Sequence, residues 1–161
     1  MRRLRERTGE TIHLMAPDGR EAVLIERLDS TQHLRTVRQL GTRCPLHVAS
    51  NGKAVLAAMP AAEVEAYLAG TLIPWTFRSL TDPDALRIDI EAIRRRGYAI
   101  SRGELDDDVR AVAAAILDAE GRPVGSLSIS CPATRLPEER IPQYGPMVAE
   151  TARLIGADLL P

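Results

Sequence analysis

The sequence predicts a single α+β domain built on a mostly antiparallel β-sheet of about six strands flanked by helices. Three observations carry this. The chain has 161 residues, a length that suits one domain and lets it bury roughly two-thirds of its unfolded surface. Strand-like and helical runs follow one another without a long linker, repeat or low-complexity segment. Most strand-like runs are joined by hairpin-length connections, and the strict strand–helix alternation of a doubly wound sheet is missing.

In chain order, Arg2 to Thr8 has the character of a helix end, stopped at Gly9. Glu10 to Ala16 alternates, with Ile12, Leu14 and Ala16 on one face. Pro17-Asp18-Gly19 is a turn, and Glu21 to Leu28 returns as the second strand of a hairpin. His33 to Leu40 is a third strand candidate, ended by Gly41. Ser50 to Met59 is the first clear helix, and Pro60 opens another that runs to Gly70 with Val64, Tyr67 and Leu68 inward. Thr81-Asp82-Pro83-Asp84 starts a helix in which Thr81 can cap, and Leu86, Ile90 and Ile93 recur at helical spacing up to Gly97. Tyr98 to Ser101 is a short strand. Val109 to Leu117 is apolar on both faces, the pattern of a strand covered on both sides. After a polar turn, Val124 to Cys131 alternates, Leu127, Ile129 and Cys131 opposing Ser126, Ser128 and Ser130. A last helix carries the stripe Met147, Val148, Thr151, Leu154 and Ile155, with Pro142 and Pro146 expected to kink or divide its beginning.

Composition excludes several functional classes. With a formal net charge of −1, the surface as a whole is not one that grips nucleic acid. The basic run Arg2, Arg3, Arg5 and Arg7 reads as a solvated helix face or linker. Cys44 and Cys131 form no CxxC pair and no zinc-ligand spacing, and His13, His33 and His47 are scattered. Two free thiols are therefore expected, with no metal and no cofactor. No signal-like segment and no run of about 18 apolar residues occurs, so a cytoplasmic protein without a membrane partner is expected.

Two constellations bear on chemistry. In Pro45-Leu46-His47-Val48-Ala49-Ser50-Asn51-Gly52-Lys53-Ala54, the Gly-Lys pair suggests a phosphate loop. That motif requires a glycine where His47 stands and a Ser or Thr where Ala54 stands. What survives is a helix start: Ser50 and Asn51 are good caps, Gly52 admits close approach of a ligand, and free N–H groups there can hold a carboxylate. A plain helix cap is the alternative. The second constellation is the paired late strands. Ala111, Ala113, Ala114 and Ala115 are small and leave room for a helix or ligand. Ser128 and Ser130 place hydroxyls about 7 Å apart on one face, which either line a pocket or face solvent. No GxSxG elbow occurs and no histidine partners Cys131 in a recognisable pattern. Asp106-Asp107-Asp108 reads as a solvated loop rather than a cation site.

Taken in order, Thr8-Gly9-Glu10-Thr11-Ile12-His13-Leu14, Ile25-Glu26-Arg27-Leu28, Gly41, Pro45-Leu46-His47 with Gly52-Lys53-Ala54, Thr81-Asp82-Pro83, Arg95-Arg96-Gly97-Tyr98 and Leu127-Ser128-Ile129-Ser130 before Pro132 resemble the effector-binding domain of IclR-type transcription regulators. The resemblance covers essentially the whole chain. No single motif decides it; the colinear set carries it. It implies a GAF-like fold with a ligand cavity on one face of the sheet, and a small-molecule effector, an organic acid or aromatic metabolite, as partner. Residues 1–9 would be the end of a linker helix and 10–161 the effector-binding domain. The DNA-binding winged helix-turn-helix of the family is absent from this chain, so that DNA would be met only through that domain. Self-association as a dimer or tetramer is also implied. Carried over by position, the effector site comprises Cys44, Ser50, Asn51, Gly52, Ser101, Ala111, Ser128 and Ser130, with no catalytic residue. The chain departs from the family at Asp108 and Ala111, where glycine and cysteine are frequent; the missing thiol enlarges the cavity and leaves the effector's identity open. Two other readings compete: a GAF-like enzyme or redox protein using Cys44 or Cys131, and a purely structural dimerisation module.

Overall fold

The computed structural model describes residues 1–159; the last two residues of the expected domain lie outside the described residues. Six strands form one sheet: β1 (Thr11–Asp18), β2 (Glu21–Leu28), β3 (Arg43–Pro45), β4 (Ala99–Arg102), β5 (Val109–Leu117) and β6 (Pro123–Pro132). Their order across the sheet is β3-β2-β1-β6-β5-β4, and every neighbouring pair is antiparallel. The helices are α1 (Arg2–Thr8), α2 (Ser50–Ala58), α3 (Ala61–Leu68), α4 (Pro83–Arg96) and α5 (Ile141–Asp158).

The alternation along β6 assigns the two faces. Leu127, Ile129 and Cys131 join Val112 and Ile116 of β5 beneath Tyr144 and Val148 of α5. The opposite face, with Ala99 and Ala113, lies under Ala54 of α2, and next to it Met15, Leu24, Cys44, Leu46, Val55 and Leu56 form the second half of the core. Alanines and serines on this side let α2 lie close to β5 and β6. Both α1 and α4 end on a glycine in the left-handed region, Gly9 (φ 70°) and Gly97 (φ 84°), where a Cβ would be strained.

Four expectations need correction. His33 to Leu40 is not a strand. The third strand is Arg43–Pro45, which takes the free edge of β2; without a ladder partner, the β-propensity of the earlier run counts for little, and Leu34, Val37 and Leu40 stay exposed. The cap of α4 is Asp82, not Thr81: its carboxylate accepts from the Asp84 N–H at 3.0 Å. Helix α5 is not divided. Pro142 sits in the first turn, where its missing N–H costs nothing, and Pro146 lies within one continuous helix. The buried stripe of α5 is Tyr144, Val148, Ala152 and Gly156, while Leu154 faces out. A Cβ on Gly156 would stand 2.6 Å from the Leu117 carbonyl oxygen, so the closest approach to the sheet selects the small residues and turns the large ones aside.

Candidate ligand-binding site

The site lies on the α2 face of the sheet, under the first turn of that helix. Strand register brings its floor together. Across the sheet, Ser101 of β4 pairs with Ala111 of β5, which pairs with Ser130 of β6, which pairs with Thr11 of β1. The next row on this face is Ala99, Ala113, Ser128, His13 and Arg27. In antiparallel sheets, side chains at paired positions stand on the same side, so serines, alanines and His13 form one continuous face. It is buried: Ser126, Ser128 and Ser130 are all covered, which decides the serine face against solvent.

Seven of the eight residues expected from the sequence line one cavity of about 40 Å³. Ser128, Ser130, Ala111 and Ser101 come from the sheet, Cys44 from β3, and Ser50 and Asn51 from the start of α2. Gly52 does not. A Cβ there would collide with the backbone of Leu46, including its carbonyl oxygen, so Gly52 serves the packing of α2 on the preceding 3-10 turn (Leu46–Val48), not ligand approach. Nor do Ser50 and Asn51 cap the helix. The cap is Ala49, in extended conformation, with no side-chain acceptor. Asn51 instead donates from Nδ2 to Ser126 Oγ at 3.1 Å, which ties the helix start to β6 and leaves the first N–H groups of α2 without a side-chain cap beside the cavity.

His13, Met15, Leu24, Arg38 and Asp106 also line this cavity and were not identified from the sequence. His13 is buried, and its Nε2 has no hydrogen-bond partner; Ser128 Oγ has none either. Burial, then the Arg38 and Arg27 guanidiniums, hold the His13 pKa down at about 4, so the ring is neutral at pH 7. Its sequence signal was its phase: on β1 it falls between Ile12 and Leu14, opposite a serine of β6. Arg38 had no such signal, because it comes from the irregular segment 29–42 that crosses the mouth of the cavity. That segment is held at several points. Thr11 Oγ1 donates to the Thr36 carbonyl at 3.3 Å and Thr36 Oγ1 to Ser130 Oγ at 3.4 Å. Arg135, clamped on the buried Glu10 carboxylate by two bonds of 2.7 Å, donates to the Leu34 carbonyl at 2.9 Å. Arg27 donates to the Arg38 carbonyl, and Arg38 forms an ion pair with Asp106. Asp106 is thus part of the cavity rim rather than a purely solvated loop residue. Outside the rim, a cleft of about 430 Å³ shares Arg38, Asp106 and Val109 with the inner cavity.

Lys53 turns away from this site. It is almost fully buried and bridges Asp89 of α4 at 2.8 Å and Glu104 at 2.6 Å. Both cysteines are free and buried; burial pushes the Cys44 thiol up to about 11 and the Cys131 thiol up to about 12. Among the described residues, no group of three or more metal-ligating side chains occurs, and no helix is long and apolar enough to cross a membrane.

Residues 1–157 match the family described as bacterial transcriptional regulator IclR C-terminal. This chain belongs to that family. Its relatives among IclR-family proteins include the HTH-type transcriptional repressor AllR of Escherichia coli K12, 37% identical over 160 residues that make up 99% of this chain and 59% of AllR. The chain therefore spans less than two-thirds of the length of such relatives. The fold matches the crystal structure of the Thermotoga maritima IclR protein with a TM-score of 0.93 at 36% identity, covering 98% of this chain and 64% of that one. An IclR homologue from Microbacterium hydrocarbonoxydans, crystallised with 4-hydroxybenzoate, matches with a TM-score of 0.86 at 26% identity, over 99% of this chain and 64% of the other.

Proposed function

We propose that this chain is the effector-sensing part of an IclR-family transcription regulator, taking a small organic acid into the cavity beneath the start of α2. One observation carries the reading: two buried polar atoms, His13 Nε2 and Ser128 Oγ, border the same cavity without a partner. Unsatisfied buried polar groups are rare and costly, about 1–3 kcal/mol each, so a ligand that supplies both partners is favoured. The uncapped N–H groups of α2 favour an anionic end, to which Arg38 could turn by exchanging its ion pair with Asp106, and Ser130 and Ser101 can meet its other polar atoms. The volume of about 40 Å³ holds about three waters and suits an acid of few heavy atoms. A larger one, such as the aromatic acid bound by the Microbacterium homologue, would extend past Arg38 into the outer cleft. In this reading, residues 1–9 are the end of a connecting helix, and DNA is contacted only through a winged helix-turn-helix outside this chain. The raised thiol pKa values weigh against a cysteine-based enzyme, because the thiolate is the reactive form.

The test is a thermal-shift survey of aliphatic hydroxy- and oxo-acids and of 4-hydroxybenzoate, followed by calorimetry on any acid that stabilises the chain. Ser128→Val and Ser130→Val should each weaken binding roughly twofold to tenfold per lost hydrogen bond while leaving the fold intact. If no acid stabilises the protein, or if both folded variants bind as tightly as the parent, the proposal fails.

A further inference from the structure

The inner cavity and the outer cleft meet at Arg38, Asp106 and Val109, which line both. The ion pair of the Arg38 guanidinium with the Asp106 carboxylate spans that meeting point. The main chain on each side is anchored independently of it. The Arg38 carbonyl accepts from Arg27, and Thr36 is tied to Thr11 and Ser130. The Asp106 carbonyl accepts from the Val109 N–H at 3.1 Å. The pair can therefore part by side-chain rotation while the backbone around it stays in place. It is also wet, its two side chains being 23% and 50% exposed, and ion pairs in contact with solvent are weak. On its inner side, Cys44 is only 1% exposed. Burial dominates the acidity of both His13 and Cys44, and the Arg38 charge reaches both, adding to the fall in the one and opposing the rise in the other. The outer cleft holds Arg35 and Arg38 against Asp106 and Asp108, so its net charge selects no ligand; what Arg38 binds does.

We propose that the Arg38–Asp106 pair is an ionic gate: it closes the passage from the outer cleft to the inner cavity, and a ligand's carboxylate passes by taking the place of Asp106 on Arg38. Such an exchange trades one guanidinium–carboxylate pair for another, whereas a neutral or cationic molecule must break the pair and supply no substitute. This inference rests on the reading of the cavity as the effector site, but its test uses no effector, so a failed acid survey and a failed gate are separate results.

Cys44 reports passage. The folded chain is treated with methanethiosulfonate reagents carrying a 2-carboxyethyl, a 2-aminoethyl or a methyl group. Modification of each cysteine is followed by peptide mass spectrometry, and every rate is divided by that of the same reagent on the urea-unfolded chain. Cys131, buried beneath α5 on the other face of the sheet, reports general opening. In the parent, the carboxyl reagent should modify Cys44 about threefold to tenfold faster than the amino reagent, and Arg38→Met should abolish that preference. Arg38→Met and Asp106→Asn should both speed the neutral methyl reagent at Cys44 and leave Cys131 unchanged. A field effect on the thiol alone would move them in opposite directions, because losing the guanidinium disfavours the thiolate and losing the carboxylate favours it. Should a variant unfold, the parent decides: roughly tenfold more salt should speed the methyl reagent at Cys44 by screening the pair. A parent with no preference for the carboxyl reagent, opposite shifts in the two folded variants, or a Cys44 rate that rises only together with that of Cys131 would each overturn the proposal.

Discussion

At the scale of single residues, the cavity depends on groups whose chemistry is set by burial. His13 shows this most clearly. Its pKa is held at about 4 against about 6.5 in an unfolded chain. The unfolded state therefore takes up a proton that the folded state refuses as pH falls. Stability is fully present above about pH 6.5 and is lost as pH drops towards 4. The loss from this ring alone is about 3 kcal/mol. His47 is lowered too, chiefly by burial, so the wild-type profile combines both rings. Comparing urea midpoints of the parent and His13→Gln between pH 4 and 7 isolates the first. The difference between the two proteins should narrow or reverse towards acid pH; parallel profiles would show that His13 is not held neutral by the fold.

At the scale of elements, α2 is placed by close backbone contact as much as by side-chain packing. Gly52 lets its first turn rest on Leu46, and Asn51 ties that turn to Ser126. The position of the helix start, and so of its N–H groups over the cavity, depends on this contact. Gly52→Ala should push α2 off the preceding 3-10 turn. Overpacking of this kind costs about 1–3 kcal/mol, and the melting temperature of a domain this size should fall by roughly 2–4 °C per kcal/mol. Calorimetric melting of the variant is the check; an unchanged midpoint would mean that the turn yields without cost. The segment 29–42 differs in kind. It is held over the cavity chiefly by side-chain bonds involving Thr11, Ser130, Arg135, Arg27 and Asp106, with backbone bonds only near its ends, from Thr31 to Gly9 and between Gly41, Thr42 and Leu24.

At the scale of the whole molecule, Lys53 joins three parts of the fold. From α2 it reaches Asp89 of α4 and Glu104 in the loop between β4 and β5, two residues before Asp106 at the cavity rim. Burial pushes the Glu104 carboxyl upward and Lys53 opposes the shift. Removing one partner from a buried ion network strands the others, typically at a cost of 3–5 kcal/mol. Lys53→Met should therefore destabilise by about 3 kcal/mol or more at pH 7. Part of that loss should be recovered as Glu104 is neutralised at lower pH. Denaturant titrations at pH 7 and pH 5 test this: a loss of under about 1 kcal/mol, or one that does not shrink with acid, would count against the role assigned to Lys53.

The order of the elements and part of the cavity wall, seven of its sixteen residues, were legible in the sequence: the serines of β6 and the alanines of β5 through local periodicity, Cys44 and Ser101 only through the family resemblance. Alternation along residues 124–131 named the serine face, the alanine run of β5 marked a closely covered strand, and Gly9, Gly97 and the acidic start of α4 marked helix ends. These patterns are short-range, and a single chain displays them directly. The tertiary structure decided what depends on neighbours distant in sequence. Residues 33–40 have strand-like composition, but the edge of β2 is taken by Arg43–Pro45, so they cross the cavity instead. Gly52 has the look of a ligand-loop glycine, but its free side meets Leu46. Arg38 and Asp106, about 68 residues apart, meet only because the sheet brings β2 and the loop before β5 to the same rim. Hydrogen-bond periodicity is written residue by residue; which backbone edge is free, which face is filled and which charges meet is settled only once the whole chain competes for the same space.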